Sequence, residues 1–149
     1  MNFYSNIEKQ RIIFDAYENP KFKIKNDEDF KKTDKTLFEH SNVCVDDIKL
    51  NFLFDEKNTL KKVEYCAKGC SIFLSSVELM IQQILNKNKL EINEILNEYK
   101  TMIDTSTISQ RGGEILGKLV VYQNVRVHLN RLECASIIFR LIKKAVSNE

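Results

Sequence analysis

The residues of this chain best suited to chemistry are its four cysteines, at positions 44, 66, 70 and 134. Three of them stand in settings that read as helix starts: Asn42-Val43-Cys44-Val45-Asp46, Lys68-Gly69-Cys70-Ser71 and Arg131-Leu132-Glu133-Cys134-Ala135. A thiol at a helix N-terminus lies in the positive end of the helix field, which favours the thiolate, the form that binds metal and attacks sulfur. Cys44 and Asp46 are one residue apart, so a tight turn or strand end can bring both side chains to one side. With Cys70 and Cys134 they make three sulfurs and one oxygen, a set that zinc accepts at bond lengths of about 2.0–2.3 Å. Spacing alone does not define such a site, and the competing reading of each cysteine is a small buried apolar residue.

Cys66 makes Cys-x-x-x-Cys with Cys70, a pattern open to a redox dithiol or an alternate ligand. Strand alternation places it on the face of Lys62 and Glu64, which predicts a spare, partly exposed thiol outside the site. His40 and His128 each precede a candidate ligand cysteine, and both are expected to be surface or hydrogen-bonded histidines.

The elements that must position these groups follow from hydrophobic period. Ser5-x-x-Glu8 is a capping box, and the apolar run from Ile12 to Tyr17 ends at Asn19-Pro20, so a first helix spans about residues 5–18. Residues 21–39 are rich in lysine and acidic side chains with few apolar anchors, the composition of an irregular or edge-strand segment. Ile48, Leu50, Phe52 and Phe54 alternate with mostly polar neighbours, and Val63 and Tyr65 do so after the turn at 56–59, giving an antiparallel hairpin that ends at Gly69-Cys70. Phe73, Val77, Met80, Ile81 and Ile84 form the stripe of a helix that starts at Cys70. Asn88-x-x-Glu91 caps a third helix, which the segment 105–113 interrupts. A short helix is expected over 114–122, and a closing helix carries Ala135, Ile138, Phe139 and Ile142 on one face. The predicted class is α+β, an antiparallel sheet of about three strands with helices packed on one face.

The length of 149 residues suits one domain with one core, so residues 1–149 are expected to form a single unit. A net charge of +2 offers no bulk attraction to nucleic acid, so function is expected to come from a site. The N-terminus lacks the basic and apolar regions of a secretory signal, and no apolar run is long enough for a membrane span. A cytoplasmic protein with reduced thiols is expected, monomeric or weakly dimeric.

Taken together, several motifs resemble the SufU branch of the IscU/NifU-like iron–sulfur cluster assembly proteins over nearly the whole chain. They are Tyr17-Glu18-Asn19-Pro20, Cys44-Val45-Asp46 where the family has Cys-Gly-Asp, Gly69-Cys70-Ser71-Ile72 with Ser75-Ser76, and Arg131-x-x-Cys134-Ala135. The long stretch between Cys70 and Cys134 looks like that branch's insertion, and Glu133 stands where the scaffold branch has a histidine. The resemblance implies a SufE/NifU-like fold and zinc held by Cys44, Asp46, Cys70 and Cys134. It also implies a SufS-like cysteine desulfurase as partner, and sulfur transfer of at most a zinc-dependent sulfurtransferase-like kind. Cys44 is the expected persulfide acceptor, with Arg131 supporting the site from outside the ligand set. Two alternatives stay open: a scaffold that builds a [2Fe–2S] cluster on the cysteines, and a degenerate module whose zinc is structural and which only binds the desulfurase. Val45, Ala67 and Leu129 depart from the family's glycine, glycine and proline.

Overall fold

A computed structural model of the protein describes residues 3–41 and 45–147. Helix α1 (Asn6–Glu18) begins at Ser5, whose hydroxyl accepts from the Glu8 amide while the Glu8 carboxylate accepts from the Ser5 amide. The capping box satisfies two orphan amides and fixes where the helix starts. The charged segment that follows makes a short 3-10 turn at Asp27–Asp29 before strand β1 (Leu37–His40).

Strands β2 (Asp47–Phe54) and β3 (Leu60–Lys68) are the expected hairpin, and the three strands form an antiparallel sheet in the order β1-β2-β3. Its register pairs Leu37 with Leu50, Leu50 with Tyr65 and Asp47 with Lys68. Ile48, Leu50, Val63, Tyr65 and Ala67 are buried on the face that joins the helical core, as the two-residue period requires. Lys49, Asn51, Glu64 and Cys66 lie on the other face.

Helix α2 (Ser71–Ile84) is the most buried helix, with Phe73, Val77, Met80, Ile81 and Ile84 fully enclosed. A second capping box, Asn88 with Glu91, opens helix α3 (Lys89–Thr105). The next segment differs from expectation. Ser109 accepts from the Gly112 amide and starts helix α4 (Gln110–Ile115), so the chain is helical across part of the predicted break. Residues Gly117–Tyr122 form a 3-10 helix in place of the α-helix expected there. Gly117 explains the change of direction: its φ is +55°, and a Cβ there would lie 2.5 Å from the Gln83 side chain.

The closing helix α5 (Leu129–Ser147) also starts earlier than expected. Its buried face runs from Cys134 to Val146 and packs among α2 and α3. Cys134 is therefore inside the helix, in its second turn, and the expectation that it precedes the helix is corrected. His128, and not Ser, Thr, Asp or Asn, precedes Leu129, and the buried face begins only at Cys134, which is why the sequence pattern hid the start.

A candidate metal centre

Strand register builds the first part of the site. Asp47 pairs with Lys68, so Asp46 and Gly69 are the next residues beyond the paired ends, and the chain brings Asp46 against Cys70 across 24 positions. The Asp46 Oδ1 accepts from the Cys70 amide at 3.0 Å. Gly69 makes that approach possible, because a Cβ there would stand 2.2 Å from Asp46 Oδ1 and 2.7 Å from the Phe73 ring. Cys70 then serves as N-cap of α2, its sulfur accepting from the Phe73 amide at 3.4 Å.

Helix α5 supplies the third group. Cys134 is 2% exposed, and its Sγ lies 3.3 Å from that of Cys70. Ligand atoms of Asp46, Cys70 and Cys134 all lie within 4.8 Å of one another, a spacing compatible with a shared ion. The Asp46 side chain is fully buried, yet its Oδ2 has no hydrogen-bond partner among the described residues. A buried carboxylate oxygen left in that state costs free energy unless a cation or donor meets it. Two sulfurs beside an orphaned carboxylate oxygen are a donor set that fits zinc. In the metal-free chain, burial pushes the Cys134 thiol well above its ordinary pKa, and the neighbouring Asp46 carboxylate and Cys70 sulfur push it further.

Hydrogen bonds from below fix the elements that carry these ligands. Tyr99 donates its hydroxyl to the Ala135 carbonyl at 2.7 Å, next to Cys134. Tyr122 donates to the Ser75 hydroxyl at 2.6 Å in the second turn of α2. Glu78, fully buried, accepts from the Tyr65 hydroxyl at 2.9 Å and from Gln82 at 2.8 Å, which ties α2 to β3. None of these supports was identified from sequence as a polar contact, because Tyr99 reads there as one more apolar-face residue. A tyrosine within an apolar stripe, which needs a partner for its hydroxyl, was the available signal.

Cys44 lies outside the described residues. Arg131 is exposed on α5 and lines, with Ile13, Phe14, Tyr17 and Ile72, a groove onto which Cys70 opens and whose wall the buried Cys134 helps to form. Glu133 turns from that groove: its carboxylate accepts both terminal nitrogens of Arg140, at 3.2 and 3.1 Å, and lies 3.4 Å from the Ser41 hydroxyl. Arg140 also donates to Glu39 on β1 at 3.1 Å. Burial opposes the Arg140 charge, but Glu133 and Glu39 outweigh it and hold the guanidinium pKa above its ordinary value.

Cys66 departs from expectation in one respect. It sits on the predicted sheet face, but it is 6% exposed, because the turn at Asp27–Asp29 folds over it and Asp27 accepts from its thiol at 3.6 Å. Burial and the Asp27 carboxylate raise its pKa. His40 is exposed beside Asp47, and His128 is exposed ahead of α5. Neither belongs to the three-residue group.

The fold and the ligand group define a class: small α+β proteins that present thiols and a carboxylate at the junction of a three-stranded sheet and two helices. The chain belongs to the NifU-like N-terminal domain family, whose model matches residues 8–135. Over 154 aligned positions it is 27% identical to the zinc-dependent sulfurtransferase SufU of Bacillus subtilis (strain 168), covering 100% of this chain and 97% of that protein. The crystal structure of a putative iron–sulfur cluster assembly scaffold protein for the SUF system from Fervidobacterium islandicum AW-1 matches with a TM-score of 0.78. Its identity is 24%, and the match covers 96% of each chain. The N-terminal part of a nitrogen-fixing NifU-like protein from Brucella abortus matches with a TM-score of 0.75 at 13% identity, again over 96% of each chain. These bear out the expected family and the three-stranded α+β fold. No described helix is long and apolar enough to cross a membrane.

Proposed function

We propose that this protein, acting as one NifU-like unit over residues 1–149, is a zinc-bound sulfur acceptor in iron–sulfur cluster biogenesis, loaded by a cysteine desulfurase. The observation that carries the reading is the buried Asp46 Oδ2, without a hydrogen-bond partner among the described residues, beside two cysteine sulfurs. The similarity to a zinc-dependent sulfurtransferase supports the choice of metal. Asp46, Cys70 and Cys134 would hold the ion, and Cys44 would complete the set. Zinc supplies a charge that keeps thiolates deprotonated near neutral pH.

The transfer itself is a thiol–persulfide exchange. The Cys44 thiolate attacks the outer sulfur of the desulfurase persulfide, a new S–S bond forms at Cys44, and the old S–S bond breaks. The desulfurase cysteine leaves as a thiolate and takes a proton from solvent, so no external oxidant or reductant is needed. Arg131, exposed at the groove it shares with Cys70 and Cys134, would meet the negative charge of the incoming persulfide. Glu133 favours transfer over stable cluster building, since its carboxylate is engaged by Arg140 and offers no ligand where the scaffold branch has histidine. Cys44→Ser is expected to abolish sulfur loading from the desulfurase, read by mass spectrometry of the trapped persulfide; undiminished loading contradicts the assignment. Anaerobic reconstitution with iron and sulfide separates the scaffold alternative, because a [2Fe–2S] cluster absorbs visible light and a zinc protein does not.

A further inference from the structure

The two sulfurs that face each other in the site differ in exposure, which governs which of them a peroxide can reach. Cys70 is exposed, stands at the first turn of α2 and opens on the groove. Cys134 is buried beneath it, held in α5 by the Tyr99 bond to the Ala135 carbonyl. Their Sγ atoms are 3.3 Å apart, so closing to a disulfide of about 2.05 Å takes a movement of little more than an ångström. Cys66 is not a competitor on this geometry: it lies on the outer sheet face, covered by the Asp27–Asp29 turn and bonded to Asp27.

We propose that Cys70 and Cys134 form a reversible disulfide whenever the metal is absent, with Cys70 as the residue that meets a peroxide and Cys134 as the residue that resolves the product. The Cys70 sulfur attacks one peroxide oxygen; the O–O bond breaks, hydroxide leaves and is protonated to water, and Cys70 becomes a sulfenic acid. The Cys134 sulfur then attacks the Cys70 sulfur; the S–O bond breaks, and the hydroxide leaves as water with the Cys134 proton. Two thiols are oxidised by two electrons and one peroxide is reduced to two waters. A bound ion holds both sulfurs and blocks the first attack, so metal loading and disulfide formation exclude each other. The exposed sulfur is thereby kept from the irreversible sulfinic stage, because a partner 3.3 Å away captures the sulfenic acid.

The test treats the full chain, stripped of metal by a chelator and checked by circular dichroism for retained fold, with one equivalent of hydrogen peroxide. Peptide mass spectrometry is expected to find the Cys70 and Cys134 peptides cross-linked and two hydrogens lighter, and reducible by dithiothreitol. Cys134→Ser is expected to leave Cys70 as a sulfenic acid that dimedone traps. Zinc-loaded protein is expected to oxidise at least about tenfold more slowly, as coordination removes the free thiolate. In a second measurement that needs no metal-free protein, forced oxidation of the loaded chain should release one zinc per disulfide, followed with a chromogenic chelator. Sulfinic acid on Cys70 with Cys134 unmodified, or a cross-link from Cys70 to Cys44 or Cys66, overturns the proposal.

Discussion

Gly69 carries more of the site than any single ligand can, because three features depend on its missing side chain. The Asp46 carboxylate, the Asp46 backbone at its Cα and the Phe73 ring occupy the space that a Cβ would fill. Gly69→Ala is expected to destabilise the fold by about 1–3 kcal/mol through overpacking and to lower bound zinc below one equivalent, measured by denaturation and elemental analysis. Normal zinc content with normal stability contradicts this account. Cys66 is the converse case, a thiol with nothing to do in the site. Burial and Asp27 raise its pKa, so at a given pH less of it is thiolate than of an ordinary thiol, and the covering turn restricts access. Its alkylation by iodoacetamide at pH 8 is expected to be at least about tenfold slower than that of a free cysteine; equal rates refute the buried placement. At this scale the sequence singled out Asp46, Cys70 and Cys134 as candidate ligands, since a carboxylate and thiols in helix-start settings suggest ligation, and the structure brings the three together. It did not show that Cys134 is inside a helix, because the first turn of α5 from Leu129 carries no buried residue and the apolar face begins only at Cys134.

At the scale of elements, the site is a junction. The β2–β3 register delivers Asp46 to Gly69-Cys70, α2 starts there, and α5 crosses with Cys134. Among the polar ties that hold α5 in place are Tyr99 to the Ala135 carbonyl and Arg140 bridging Glu133 on its own helix to Glu39 on β1. Tyr99→Phe removes a buried hydrogen bond at nearly constant volume and is expected to cost about 1 kcal/mol in chemical denaturation. Arg140→Gln is expected to cost about 1 kcal/mol or less, since the network is partly solvated. If Tyr99→Phe proves the milder of the two, the ranking of these ties is wrong. Capping boxes at Ser5 and Asn88 and the alternation of β2 were plain in the sequence because each is a local signal. The stretch from Ser109 to Tyr122 was not, since Gly112, Gly113 and Gly117 read as breakers while Ser109 in fact caps a short helix.

At the scale of the whole molecule, one core joins the inner sheet face to α2, α3 and α5, and the ligand group sits at the edge of that core, half in and half out. Cys134 and Asp46 are enclosed and Cys70 is open, which suits the proposed role of holding an ion while a sulfur donor approaches. The family was readable from sequence through motifs spread over the chain, and the family model covering residues 8–135 agrees. Long-range placement was the part that local pattern does not encode, since the register and the α2–α5 packing decide it. The most direct test of the account is anaerobic incubation of the zinc-loaded protein with a cysteine desulfurase and cysteine, followed by peptide mass spectrometry under persulfide-trapping conditions. The account predicts one extra sulfur on the Cys44 peptide, with about one zinc per chain in the starting protein. Zinc-loaded protein that gains no sulfur on Cys44, with the desulfurase itself fully persulfidated, would contradict it.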